Sequence, residues 1–446
     1  MAETQENLTK GRVIIPYGRS IMALVAAHSL GKKGAEIIGC DSVDFTVLSF
    51  SRYVTANFIY TDPKKDEEKF IADILAKVKK YKPEDNRPYV LMPVFNDTFL
   101  FAKYRDRLEE HIKIAAPDYN ALLKLGTKDR FAETVKALGV PVPETRLPET
   151  RQELENIADE IEYPVLIKPY NQVGGRGIHK VDNSEELLTY WDKNLEKYSQ
   201  KSLIQDFATG KDYCLTTLFE NGELKASMAY RNLHRFPVQS GAGVMRETVD
   251  DTRFVDVACK LMKPLKWNGI AEFDFIWDEC EESTPALIEV NTRFWGGLFQ
   301  SVESGIDFPW MLYRLTVDGH VEKAGKASIG TKTKVPYVWL ISAIKDVTRS
   351  DEKFEQIRQK GKTAAEKMKQ GKFLDGLKDY SIYLTQYVTE SFNFPRKIKQ
   401  LQQAIKTGKQ ARNELFNGED PYAAFGILFI IGSLIRHGHL PEELKF

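Results

Sequence analysis

Two β-rich runs near the middle of the chain limit its fold more than any other feature. They are "IAEFDFIW" (Ile270 to Trp277) and "ALIEVNTRFWGG" (Ala286 to Gly297), joined by the polar stretch "DECEESTP". Side chains alternate across a strand. Glu272 and Asp274 therefore share one face and Phe273 and Phe275 the other. In the second run Glu289, Asn291 and Arg293 lie opposite Ile288, Val290 and Thr292. Antiparallel pairing would set Asp274 near Glu289 and Asn291, a group of hard oxygen ligands that suits Mg²⁺. A sheet with one wet face gives the same alternation. A merely wetted face would more naturally carry Thr or Lys than Asn, which strands disfavour, or a long Arg.

A chain of 446 residues is too long for one simple core, and two or three domains are expected. The opening text, "RVIIPYGRSIMALVAAHSLGKKGAEIIGCD", reads strand, turn, helix, strand. With the helix "DEEKFIADILAKVKKYK" and the strand "YVLMPV" it implies an open parallel α/β domain over residues 1–117. Its glycines do not form GxGxxG, so no dinucleotide fingerprint is present. Residues 118–202 read as helices followed by a hairpin around a glycine loop. Residues 203–316 form a mostly antiparallel sheet, and residues 317–446 are mostly helical.

Formal net charge is zero, which gives no global pull toward nucleic acid. Cys40, Cys214, Cys259 and Cys280 are scattered without a CxxC pair, which fits a reducing cytoplasm. The N-terminus is polar and is not a signal peptide. The apolar run "YAAFGILFIIGSLI" (Tyr422 to Ile435) falls short of the roughly 20 residues that cross a bilayer. It reads as a buried or oligomer-forming helix, with membrane-surface contact as the alternative.

Three further signals accompany the paired strands. In "LIKPYNQVGGRG", Lys168 ends a strand, and Gly174, Gly175 and Gly177 follow in a loop whose backbone N–H groups could approach phosphate oxygens. The same text also fits an ordinary hairpin tip. It is not a P-loop, because no GK[ST] opens a helix. Lys128, in "GTKDRF", stands at a helix start, where a plain surface lysine is the alternative. "SLIQDFATGKDYCL" leads a strand into an extended linker before Asp212. Such a linker could meet an adenine edge and a ribose, or could simply connect two strands.

The order of these signals resembles the ATP-grasp superfamily. The text "RFWGGLFQSVESGIDFPWMLYRL" is most similar to the carbamoyl-phosphate-synthase-like and carboxylate–amine ligase members. The resemblance runs from about Arg12 to Leu315 and implies an α/β fold with a two-part nucleotide-binding unit. It implies ATP as cofactor, with Lys128 and Lys168 on its phosphates and Gly174, Gly175 and Gly177 as a lid. Gln205, Asp206, Phe207 and Ala208 would lie along the adenine, with Asp212 at the ribose. Asp274, Glu289 and Asn291 would bind one or two Mg²⁺ (or Mn²⁺), with Glu272 the alternative to Asp274. Arg293 would face the transferring phosphoryl group. The family usually has Glu where Asp206 stands, which leaves adenine contact there to the backbone. The strand and turn "YRNLHRFPVQSGAGVMRE" offers Arg246, then Arg235, to a substrate carboxylate.

The activity implied is ligation of a small carboxylate to an amine through an acyl phosphate. No side-chain nucleophile is needed, and no Ser/His/Asp or Cys/His pattern is present. The alternatives are an enzyme of this type using bicarbonate or carbamate, and a non-catalytic ATP-binding protein. The intact acid, amide and arginine positions weigh against the last. A homo-oligomer is compatible with the text.

Overall fold

The computed structural model describes residues 11–170, 177–236, 242–336, 338–348, 351–369, 372–391, 394–414 and 418–426. Five strands form a wholly parallel N-terminal sheet. They are β1 (Arg12–Ile15), β2 (Glu36–Asp41), β3 (Val54–Ile59), β4 (Tyr89–Leu91) and β5 (Lys113–Ile114), in the order β3-β2-β1-β4-β5. Val13, Ile14 and Ile15 are fully buried, as a central parallel strand requires. The helix Ile21–Lys32 starts at Ser20, whose side chain accepts from Ala23 N–H. The helix Glu67–Lys80 is capped by Asp66, with acids in its first turn and lysines in its last. The edge strand β3 was not expected. Its text, "VTANFI", alternates apolar and polar residues over five positions, and Thr55, Asn57 and Ile59 are exposed.

The strand order reverses between β1 and β4. Crevices that bind ligands open at the carboxyl ends of strands at such a switch point. Here the loop after β4 carries Phe95 and Asn96.

A four-stranded antiparallel sheet follows. It comprises β6 (Thr145–Arg146), β7 (Val165–Pro169), β8 (His179–Val181) and β9 (Ser202–Asp206), in the order β6-β9-β7-β8. The helices Arg151–Glu160 and Ser184–Tyr198 cover it through Leu154, Leu187 and Trp191. The third sheet holds β10 (Lys211–Glu220), β11 (Glu223–Phe236), β12 (Ala242–Val249), β13 (Gly269–Trp277) and β14 (Ala286–Asn291), then β15 (Lys332–Lys334) and β16 (Arg412–Asn413). Its order is β14-β13-β10-β11-β12-β15-β16, antiparallel except for β15 with β16. One face packs Phe273, Phe275 and Leu287 against Phe254 and Leu261 of the helix Thr252–Met262. On the other, Met228 and Tyr230 join Val13 and Ile15 of the first domain in one core with Phe294 and Trp295.

The last segment is mostly helical, as expected, with helices Val338–Thr348, Asp351–Lys369, Phe373–Ser391 and Phe394–Gln410. It is also tied back into both earlier parts, because β15 and β16 extend the third sheet. Beyond them Asp420, wholly buried, accepts from the Ser51 hydroxyl (2.6 Å) and Arg52 N–H (3.2 Å) and lies 2.7 Å from His28 Nε2. Burial holds the His28 imidazole below its usual pKa. Of the run Tyr422 to Ile435, the described part is a 3₁₀ turn, Pro421–Phe425, set against Val47 and Phe50. Residues 427–435 lie outside the described residues. No helix among the described residues is long and apolar enough to cross a membrane.

Candidate active site

The register of β13 and β14 answers the question posed by their alternation. Asp274 stands opposite Glu289, and Glu272 opposite Asn291. Both acids of β13 therefore face the same side as the acid and amide of β14. Next to β13, Cys214 pairs with Asp274 and Thr216 with Glu272. The Asn291 amide donates to Asp274 Oδ2 (3.2 Å) and Glu272 Oε2 (3.4 Å). Glu272 also accepts from the buried Tyr230 hydroxyl at 2.6 Å, and Cys214 Sγ donates to Asp274 Oδ1 at 3.2 Å. Gly297 matters at this point, since a Cβ there would lie 2.8 Å from the Tyr230 ring. A side chain would push away the tyrosine that holds Glu272.

Burial pushes the Asp274 carboxyl well up, and the charges of Glu272 and Glu289 add to it. Burial also raises Glu272, while the Tyr230 hydroxyl, Arg293 and Arg246 oppose that rise. Three carboxylates on one face repel one another, and a cation among them would relieve that repulsion. The carboxylate oxygens suit Mg²⁺ or Mn²⁺. Asn291 turns its Nδ2 toward them and its Oδ1 toward Arg293, so its oxygen would join the set only with the amide reversed. Cys214, Glu272 and Asp274 place one ligand atom each within 4.8 Å of one another.

Beside this floor opens a cavity of about 750 Å³, lined by Lys128, Lys168, Gln205, Glu289, Asn291 and Arg293 among others. Six residues singled out in the sequence thus meet around one space. Lys168 comes from β7 and is buried, with Nζ donating to Gln205 Oε1 at 2.6 Å. Gln205 Nε2 in turn donates to Thr145 at 3.0 Å. Burial lowers the Lys168 pKa to about 8, partly offset by Glu289 and reinforced by Lys128. Lys128 opens the helix Lys128–Ala137. The buried Thr127 Oγ1, Asp129 Oδ1 and Tyr170 hydroxyl also belong to lining residues and have no hydrogen-bond partner. Buried polar atoms are normally paired. The two orphan hydroxyls beside two lysines fit a polar, phosphate-bearing ligand.

Arg293 reaches the cavity from the end of β14. Its NH2 donates to Asn291 Oδ1 (3.2 Å), its NH1 to the Phe294 carbonyl (2.8 Å) and its Nε to Asn96 Oδ1 (3.1 Å). The guanidinium lies over the Phe95 ring, 4.6 Å from its centroid. The switch-point loop of the first domain therefore forms one wall.

Among the described residues, the remaining expected ones do not line this cavity. Asp206, Phe207 and Ala208 lead from the four-stranded to the seven-stranded sheet and do not line the cavity. Asp206 pairs with Arg146 at 2.6 Å, and the exposed Phe207 ring lies 4.7 Å from Lys180 Nζ. Asp212 pairs with Arg235 at 2.9 Å. Arg246 is almost wholly buried, bonded to Glu414 and to the Gly243 carbonyl. Gly177 has a left-handed backbone, φ +71°, and its carbonyl accepts from Asn194 at 3.0 Å. Gly174 and Gly175 lie outside the described residues. Sequence reasoning missed Cys214, Tyr230, Phe95, Asn96 and Glu414. Continuing the strand alternation into β10 and β11 would have found the first two.

A family model described as an ATP-grasp domain matches residues 125–297. Among solved structures, the chain is similar to a biotin carboxylase–β,γ-ATP complex from Campylobacter jejuni, with TM-score 0.59 and 18% identity over 73% of this chain and 75% of that one. It is similar to N5-carboxyaminoimidazole synthetase from Staphylococcus aureus complexed with ADP, with TM-score 0.57 and 16% identity over 73% and 82%. It is also similar to L-amino acid ligase from Bacillus licheniformis, with TM-score 0.53 and 16% identity over 69% and 74%. At these identities the likeness is one of fold.

Proposed function

We propose, for a chain whose residues 125–297 form an ATP-grasp domain, that it is a Mg²⁺-dependent ligase joining a small carboxylate to an amine at the expense of ATP. The observation that carries this reading is the meeting of Lys128, Lys168, Glu289, Asn291 and Arg293 around one cavity beside the Glu272 and Asp274 carboxylates. Nucleotide- and amine-linked names among the similar structures agree with it.

In this reading Lys128 and Lys168 bind the phosphates of ATP, and Gln205 orients Lys168. Glu272, Asp274, Glu289 and Asn291 would hold Mg²⁺, which supplies positive charge against the polyphosphate when bound. A substrate carboxylate oxygen attacks the γ-phosphorus, and the bond to the β-phosphate oxygen breaks, giving an acyl phosphate and ADP. Arg293, fixed by Asn96 and Phe95, faces the charge that develops on the transferring group. The amine then attacks the acyl carbon, phosphate leaves, and the amine loses a proton. Positioning and electrostatics carry most of the acceleration. Arg235 and Arg246 were candidates for the substrate carboxylate. Arg235 is the more accessible of the two, and Arg246 acts from beneath, through its charge on Glu272.

The test supplies Mg·ATP with pools of organic acids and amino acids and reads phosphate release. Hydroxylamine replaces the amine in a parallel arm to trap acyl phosphate as hydroxamate. Release that needs both acid and amine supports the reading. Release with bicarbonate alone replaces it with a bicarbonate-using enzyme, and ATP binding without any turnover overturns it.

A further inference from the structure

Residues 338–410 carry a charge the rest of the chain lacks. They hold fifteen Lys and Arg against eight Asp and Glu, in a protein of 63 and 63 overall. The helix Phe394–Gln410 contains Arg396, Lys397, Lys399, Lys406 and Lys409 and no acid. It seats one side on the body of the protein: Ala404 is buried, and Gly408 approaches Trp339 too closely for any side chain. Ile398 and Ile405 remain 52% and 37% exposed. Seven residues apart, they share a helix face. Lys409 continues that stripe, and Lys399 and Lys406 border it.

The neighbouring helical hairpin repeats the exposure. Its helices Asp351–Lys369 and Phe373–Ser391 pack on each other through Gly361 against Tyr383 and Gly376 against Met368. Leu374 is 81% exposed, and Leu377 and Leu384 are also open to solvent. On the helix Val338–Thr348, Leu340, Ile341 and Ile344 are exposed. After Gly426 the sequence continues "ILFIIGSLI", uncharged and too short to span a bilayer.

We propose that the exposed face of the helix Phe394–Gln410 is a docking surface for an anionic lipid bilayer. An apolar stripe rimmed by lysines and lacking acids is how a helix lies in the headgroup region. Lysine stems cover apolar surface while their ammonium groups reach phosphate. A second copy of the chain is disfavoured as occupant, because a two-fold contact would bring two patches of the same positive charge together.

The test is co-sedimentation of the full-length protein with vesicles of phosphatidylcholine alone and of phosphatidylcholine with phosphatidylglycerol. Binding to the anionic vesicles only, weakening as salt rises, is expected. Lys399→Gln, Lys406→Gln and Lys409→Gln together should weaken it roughly a hundredfold. Ile398→Ser with Ile405→Ser should weaken binding at every salt concentration. None of the five lines the cavity, so ATP binding and the melting profile should stay unchanged and serve as folding controls. No sedimentation with anionic vesicles at low salt, or equal binding by both variants and the parent, overturns the proposal. So does a dimer in light scattering that the isoleucine variant abolishes.

Discussion

The side-chain oxygen of Asn96 accepts a hydrogen bond from Arg293 Nε at 3.1 Å, joining a loop of the N-terminal sheet to the last strand of the acid-bearing hairpin. Phe95 lies against the same guanidinium. An arginine that meets developing charge must be held before the reaction, since reorganising it during the step would cost part of its effect.

The two residues should therefore separate kinetically. Arg293→Ala is expected to lower kcat by about 10²–10³-fold while the fold survives. Asn96→Ala keeps the charge and loosens it, so kcat should fall by a smaller factor with KM for ATP nearly unchanged. Steady-state kinetics with circular dichroism as the folding control checks both. Normal turnover in Arg293→Ala would remove this residue from the site.

Lys168 gives a prediction in pH. Its buried ammonium has a pKa of about 8, and in the proposed reading the charged form is the one that binds phosphate. Raising the pH through 8 removes the charge, so affinity for ATP must fall in that direction. KM for ATP should rise about tenfold between pH 7 and 9, as a group titrating near 8 requires. In Lys168→Arg the guanidinium stays charged throughout, and the slope should vanish whatever the absolute KM.

Tyr230 tests the acid cluster without deleting a member. Its hydroxyl orients Glu272 at 2.6 Å. Groups that orient metal ligands typically contribute 10–100-fold in metal affinity. Tyr230→Phe should raise the Mg²⁺ concentration for half-maximal rate by about that factor and leave the maximal rate at saturating Mg²⁺ largely intact. An unchanged Mg²⁺ requirement would place the cation elsewhere.

Arg246 and Glu414 form a pair with side chains only 4% and 1% exposed. Removing one partner strands the other charge in the interior, at a cost of about 3–5 kcal/mol. Glu414→Gln should lower the unfolding midpoint accordingly. Arg246→Met combined with Glu414→Leu should recover most of the loss, since a packed apolar pair replaces a buried ionic one at little cost. Chemical denaturation of the two variants decides it.

How much of this was legible beforehand depended on whether partners lie near in sequence. Glu289, Asn291 and Arg293 announce themselves because β14 and the two residues after it carry all three at period two, and β13 faces the strand across a short connection. Lys168 and Gln205 were found separately, and only the β7–β9 pairing made them neighbours. The choice between Glu272 and Asp274 was undecidable from text, and the register shows that both face the same side. Asn96 and Glu414 were out of reach. A polar loop residue and a carboxylate far down the chain look ordinary until folding places them against an arginine. The edge strand β3 was legible in the alternation of "VTANFI", but it is only six residues long with half of them facing water, and sequence reasoning missed it.

The return of the chain after residue 410 has a consequence for its biosynthesis. Arg246 stays without its carboxylate until Glu414, 168 positions later, has left the ribosome. His28 and Ser51 likewise wait for Asp420, 392 and 369 positions on. Contacts of such separation close late, because the intervening loop entropy comes first. A nascent chain would hold its first domain and β10 to β15 of the third sheet assembled but unlatched until residues 412–420 emerge. These latches would then close together.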